Sequence, residues 1–336
     1  KIAPVRGWQN GGTPVAAEGF TVNAFASGRD HPRWRYVLPD GGVLVAETNA
    51  PVRPEDESGL KGWISGLLMR RAGAVTPSAN RITLLRDEDA DGVAETRSIF
   101  LERLNSPFGM ALVDDRLYVA NTDAVLEFPY ASGAATIAAP GKKIATLPAG
   151  PLNHHWTKNL IASPDGRKLY AAVGSNSNVG ENGMDREKDR AAILEIDRAS
   201  GATRLFASGL RNPVGLAWQP ESGVLWAAVN ERDELGSDLV PDYMTSVRDG
   251  GFYGWPYSYY GQNADVLILG EATSVIGLRH GTLISAKVRL DITALDRRAR
   301  QMVILGERSM LGAYQPIRQR FEQAVADFSG VPLDVE

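Results

Sequence analysis

The sequence predicts an all-β fold arranged as a β-propeller over residues 20–262, and three observations carry that expectation. A short apolar run, a turn and a second apolar run ending in small residues recur four times. They read YVLPDGGVLVAET at 36–48, GMALVDDRLYVANTD at 109–123, LIASPDGRKLYAAVGS at 160–175 and GLAWQPESGVLWAAVNE at 215–231. Asp-Gly and Asp-Asp dipeptides sit between β-rich segments, which is the signature of hairpins. The second strands recur at Leu44, Leu117, Leu169 and Leu225, spaced by 73, 52 and 56 residues. Repeats of that size, each holding several short strands, suit propeller blades better than a sandwich.

Composition bounds the rest. Hydrophobic residues make up 43% and charged residues 23% of the 336, the balance of an ordinary globular protein. A formal net charge of −4 points to no nucleic-acid partner. Cysteine is absent, so disulfides and thiolate metal sites are excluded. No apolar run reaches transmembrane length. The chain begins at Lys1 rather than Met, which is compatible with a removed export signal.

In chain order, the first departure from the repeat is an insertion at 50–77, with a short helix expected around Trp63–Arg71. Its apolar face, flanked by Lys61, Arg70 and Arg71, packs on a blade or touches a membrane or partner. DEDADGVAE at 87–95 opens like a calcium loop through Asp87, Asp89, Asp91 and Gly92, but Ser98 stands at the twelfth position. A turn between two strands is the reading that remains.

LNHHWTKNL at 152–160 places two of the four histidines, His154 and His155, side by side. If the stretch is extended, neighbouring side chains point to opposite faces, so one histidine alone can face a given site. Either could be a general base near neutral pH, a hydrogen-bonded core histidine or a metal ligand. In GLRNPVGLAW at 209–218, Arg211 and Asn212 precede a strand expected from Val214, with Pro213 where the chain joins the ladder. An arginine in a loop leading into a blade offers a planar fork for carboxylates or quinone oxygens, or a plain surface ion pair. ENGMDREKDR at 181–190 is a further polar run. VNERDELGSDLVPDY at 229–243 holds Glu231, Asp233, Glu234, Asp238 and Asp242. That run suits either a hard cation such as Ca²⁺ or a solvated loop.

From residue 263 the character changes. All seven tryptophans precede it, and DITALDRRARQMV (291–303) and PIRQRFEQAVADF (316–328) have helical spacing. The tail therefore reads as a second segment, 263–336, distinct from the propeller domain at 1–262. It is a divergent ending or a shifted reading frame, and it would leave the propeller unclosed, poorly stable and weak in cofactor binding.

NHHWTKNLIASPDG, GLRNPVGLAW and DGGFYGWPYSYYGQ, together with HPRW, LVAETNAP, SANRITLLRD, LNSPFGMAL, YVANTDAV and GSNSN, resemble the glucose/sorbosone dehydrogenase family over about residues 18–262. The resemblance implies a six-bladed β-propeller that uses pyrroloquinoline quinone (PQQ) and Ca²⁺ to oxidise an aldose or sugar aldehyde. It implies His155 as the catalytic base, with His154 where the family often has an acidic residue. It implies Arg211 as the group reaching the quinone oxygens, and Asn212, His154 and Lys158 beside the cofactor. Tyr253 and Trp255 become rim contacts. Backbone carbonyls of Glu231, Arg232 and Asp233 become the calcium ligands, where Arg232 and Asp233 replace the family's usual Gly-Pro. The partner is a small-molecule sugar, with an electron acceptor the sequence does not name, and the location is periplasmic or secreted. A metal-dependent propeller lactonase built on Glu47, Asn212 and Asp233, or a non-catalytic binding propeller, are the competing classes.

Overall fold

A computed structural model describes residues 12–51, 77–233, 235, 239–259 and 263–264. Among these residues the chain is all-β, and a 3-10 turn at Met184–Glu187 interrupts it. The first blade is β1 (Pro32–Val37), β2 (Val43–Glu47), β3 (Arg81–Arg86) and β4 (Thr96–Leu101), in sequential antiparallel order. The second is β5 (Met110–Val113), β6 (Arg116–Ala120), β7 (Ala124–Pro129) and β8 (Lys142–Thr146). The third is β9 (Leu160–Ala162), β10 (Lys168–Val173), β11 (Ala192–Asp197) and β12 (Thr203–Ser208). The fourth has β13 (Asn212–Trp218), β14 (Leu225–Asn230) and β15 (Tyr243–Val247).

Each repeat seen in the sequence is the first hairpin of a blade. At the β9–β10 turn, Ser163 N donates to Lys168 O at 2.8 Å and Gly166 N to Ser163 O at 2.9 Å. Gly166 has φ +68 there, the left-handed region in which glycine meets no Cβ penalty. The four leucines that set the period lie on the second strands, and all are at most 1% exposed.

Burial on both faces explains why those strands read as nearly continuous apolar runs. On β6, Leu117 and Val119 join the core shared with the first blade, while Tyr118 and Ala120 face the third. On β10, Leu169, Ala171 and Val173 pack toward the second blade and Tyr170 toward the fourth. First strands of successive blades, β1 on β5, β5 on β9 and β9 on β13, pack on one another, as strands around a propeller axis do.

The expected six blades are not reached: four are present among the described residues. With 52–73 residues between equivalent leucines, four blades take up the described chain. The helix expected near Trp63–Arg71, and the helical spacings of 291–303 and 316–328, lie outside the described residues. A short ladder pairs β17 (Ser258–Tyr259) with β18 (Asn263–Ala264). The strand expected from Val214 begins at Asn212, and the register shifts between Pro213 and Gly215. Proline has no N–H to offer, so the ladder is interrupted there.

Among the described residues, no fourth antiparallel strand follows β15 in its own blade. Instead β16 (Gly251–Phe252) pairs parallel with β12, Ala207 opposite Gly251 and Ser208 opposite Phe252. Tyr253 N and Trp255 N then bond Ser208 O and Gly209 O at 2.8 and 3.0 Å. Val37 and Ile99 on the first blade and Met244 on the fourth are 60%, 49% and 71% exposed. They lie on faces that no neighbouring blade covers among the described residues.

Candidate active site

The histidine pair lies in a loop, not a strand, and Asn153 before it has φ +29. The alternation expected of an extended stretch therefore does not apply. What distinguishes His155 is its hydrogen bonding. Nδ1 lies 2.8 Å from Ser175 O and 3.0 Å from Ser175 Oγ. A carbonyl oxygen only accepts, and Ser175 Oγ already donates its proton to Ser177 O at 2.6 Å. Nδ1 must therefore carry the hydrogen, and Nε2 keeps a lone pair. Burial, then the Arg211 charge, push the His155 pKa down to about 3, so the ring is neutral at physiological pH. His154 is half-buried, and its charge acts on both His155 and Glu181.

Two close approaches place this ring. Gly174 has no Cβ, and one there would collide with the Asn212 side chain and His155 Cβ. Gly109 lets the backbone at 158–160 lie against β5, with Gly109 N donating to Lys158 O at 2.9 Å. Ser175 N in turn donates to Arg211 O at 2.7 Å, which joins the third blade to the fourth.

Arg211 is 5% exposed and tied to described neighbours. Nε donates to Asn178 O at 3.0 Å, Nη2 to Asn178 Oδ1 at 2.8 Å and to Asp233 Oδ2 at 3.2 Å, and Nη1 to Glu231 O. Trp255, 4% exposed, donates Nε1 to the same Asn178 carbonyl at 2.9 Å. Thus His155, Arg211, Asn212, Trp255, Glu231 and Asp233 gather on one group of loops at one end of the blades. Burial is the largest influence on Arg211 and lowers its pKa. Its ion-pair partner Asp233 has a side chain 79% exposed, and the charges of Asp233, Glu231 and Glu181 all act to raise its pKa against that burial.

Other expected residues fall elsewhere. Lys158 is fully buried. Its Nζ bonds His155 O, Trp156 O and Asn153 Oδ1 at 3.1, 3.2 and 3.4 Å, which leaves it no surface toward a cofactor. Tyr253 packs with the core between the third and fourth blades, its hydroxyl donating to Ser246 O at 2.8 Å. That places it toward the far end of β15 rather than on the rim. Glu234 and Asp238 lie outside the described residues.

The calcium expectation meets a chemical obstacle. Glu231 O accepts from Arg211, and Asp233 O accepts from Arg232 Nε at 2.9 Å and Asn178 Nδ2 at 3.3 Å. Carbonyls already facing two guanidinium groups do not, as they stand, fit a divalent cation. Asp87, Asp89, Asp91 and Glu95 bring carboxylate oxygens within 4.8 Å of one another. There Gly92 N, Asp91 N, Val93 N and Glu88 N donate to those carboxylates, which is the turn the sequence suggested. The lactonase set is not assembled either. Glu47 is engaged by Arg81, Thr83 Oγ1 and Asp30 N and shares no bonded partner with Asp233.

Sequence reasoning missed the residues behind the site. Glu187 accepts from Asn176 N at 2.7 Å and from Ser177 Oγ, holding the turn that receives His155. Burial raises its pKa. Arg190 bonds Ala149 O and Asn153 Oδ1 at 2.7 and 3.2 Å. Both lie in the polar run 181–190, and the signal that could have found them is a polar stretch, GSNSN, placed directly after a buried strand. The amide oxygens of Asn176 and Asn212 are buried without a partner among the described residues. Such acceptors suit a ligand bearing hydroxyl donors. A cavity of about 660 Å³, lined by Trp218, Trp226 and Arg248 among others, lies at the opposite ends of these strands and includes none of the groups above.

The family model described as TrAA12-like matches residues 75–248. An aldose sugar dehydrogenase of Escherichia coli is 27% identical over 143 residues, covering 39% of this chain and 36% of that protein. An uncharacterized protein of Borreliella burgdorferi is 25% identical over 182 residues, covering 51% of this chain and 47% of that protein. The chain thus spans less than half the length of these two curated relatives. The calcium structure of a Trichoderma reesei AA12 enzyme superposes with a TM-score of 0.56 at 19% identity, covering 76% of this chain and 64% of that one. The holo PQQ domain of Coprinopsis cinerea pyranose dehydrogenase gives 0.52 at 18%, covering 69% and 54%. At such identities the structural likeness shows the propeller fold. No helix among the described residues is long and apolar enough to cross a membrane.

Proposed function

Because the chain belongs to the TrAA12-like family, we propose that it oxidises an aldose or sugar aldehyde at the His155 site with PQQ as cofactor. The observation that carries the reading is the fixed tautomer of His155 beside the buried charge of Arg211. PQQ, when bound, supplies a two-electron acceptor for hydride. A guanidinium that burial makes uncomfortable fits an anionic quinone, and negative charge beside Arg211 would raise the depressed His155 pKa toward its working range.

His155 Nε2 takes the proton of the hydroxyl on the sugar's anomeric carbon as the C–H bond of that carbon gives up its hydride. The O–H and C–H bonds break, a C=O bond forms, and the proton passes from the imidazolium to solvent. Arg211 stabilises negative charge that grows beside it. The unpartnered amide oxygens of Asn176 and Asn212 accept from sugar hydroxyls. Calcium belongs to the Trichoderma structure; here the carbonyls of Glu231 and Asp233 already accept from Arg211 and Arg232, and no step is assigned to that ion. A periplasmic or secreted location is proposed from the resemblance alone.

The test is dye reduction with added PQQ and Ca²⁺ over a panel of aldoses. Turnover that requires both PQQ and an aldose is expected. Lactone hydrolysis without PQQ, and no dye reduction with it, would overturn the proposal in favour of a hydrolase.

A further inference from the structure

Lys158 is a fully buried amine that the chemistry above does not use; burial, then the Arg190 charge, hold its pKa well below the usual lysine range. Among the described residues no carboxylate lies within ion-pairing distance of it. Its three bonds go instead to the carbonyls of His155 and Trp156 and to Asn153 Oδ1, all within residues 153–156. Three oxygens thus converge on one buried nitrogen. The same segment has no regular secondary structure to hold it. Asn153 also donates Nδ2 to Thr122 Oγ1 at 2.7 Å, and Thr122 Oγ1 donates to Trp156 O at 2.9 Å. An aliphatic side chain could fill the volume but would take the Lys158 donor from His155 O, while Trp156 O keeps Thr122 Oγ1 and Asn153 Oδ1 keeps Arg190. On the opposite side, Ser175 holds the ring of His155, and Glu187 holds the turn that carries Ser175.

We infer that Lys158 is a positioning residue for His155. Drawing the carbonyls of 155 and 156 and the Asn153 side chain onto one buried point, it fixes the backbone from which the ring projects. Nδ1 is thereby kept on Ser175, and Nε2 is left as the nitrogen with the lone pair. The inference rests on the reading of His155 as the base.

Nitrogen NMR of ¹⁵N-histidine-labelled apo protein tests it without sugar or cofactor. The chain has four histidines, and the His155 signals are those lost in His155→Gln. Wild type should show the Nδ1–H tautomer, unprotonated through mildly acidic pH. In Lys158→Met, the tautomers should mix and the titration midpoint should rise by about one pH unit or more. Where that variant does not fold, Asn153→Ala, which removes one acceptor and leaves the lysine, should give a smaller shift in the same direction. A folded variant with the wild-type tautomer and titration overturns the inference. In a dye assay, Lys158→Met should lower kcat with little change in KM. If the enzymatic reading fails, no form turns over while the histidine spectra still behave as stated.

Discussion

The loop at 153–159 and the loop at 231–233 stand at the same end of the blades but are held in opposite ways. In the first, buried donors meet buried acceptors: Asn153 is bonded by Lys158 and Arg190 and bonds Thr122, Ser175 holds the ring of His155, and burial keeps that ring neutral. In the second, a buried carboxylate, Glu231, accepts from its neighbour Arg232 N at 3.0 Å, and the Arg211 charge is answered by an exposed Asp233. The difference separates a side held by buried donors and acceptors from a side whose buried guanidinium pairs with a solvent-exposed carboxylate.

The largest effect should come from breaking the first side. His155→Ala should lower kcat about 10²–10⁴-fold, the typical loss of a general base, and His154→Ala much less. Steady-state rates with PQQ and an active aldose check this, and equal losses at unchanged stability would erase the distinction drawn between the two histidines.

The two loops should also answer pH with opposite signs. His155 falls from 6.5 to about 3 in the folded protein, so the folded state binds fewer protons in that window. Its contribution is complete above pH 6.5 and is lost as pH falls toward 3. Burial raises Glu231 from 4.5 to about 6, so the folded state binds more protons there. Its contribution is complete below pH 4.5 and is lost as pH rises to 6, by about 2 kcal/mol. Urea unfolding across pH 3–7 should find the acid-side loss reduced in His155→Gln and the loss between pH 4.5 and 6 reduced in Glu231→Gln. Failure of either to change the profile would remove the contrast.

The smallest effect should follow Asp233→Asn. Its carboxylate is mostly in water, so losing the 3.2 Å contact with Arg211 should cost less than about 1 kcal/mol in thermal unfolding. A loss several times larger would mean that the second loop is as tightly built as the first.

The blades were legible because the pattern that marks them, an Asp-containing turn between two apolar runs, is local. Leu44, Leu117, Leu169 and Leu225 could be aligned by eye, and each proved central to a core. His155 and Arg211 could be proposed from their neighbours in sequence. Lys158 was not: a lysine three residues from a histidine looks like a ligand contact, and its inward turn depends on carbonyls whose direction no residue type announces. Glu187 and Arg190 were hidden for the same reason, since their partners lie 10–41 residues away. The position of Tyr253 on Ser246 O was not legible, because the path of the chain after β15, back onto β12, is a tertiary choice without a sequence signature.

That return path makes the third and fourth blades one mechanical unit. The backbone at 251–255 is stitched along the edge of β12 and at Gly209, and it carries Trp255 onto Asn178. The fourth blade cannot swing away like a leaf on a hinge unless that seam unzips, and the seam is shared with its neighbour. Opening at either blade should therefore expose amides of both together, and Asn178, which lies between Arg211 and Trp255, would come loose in the same event.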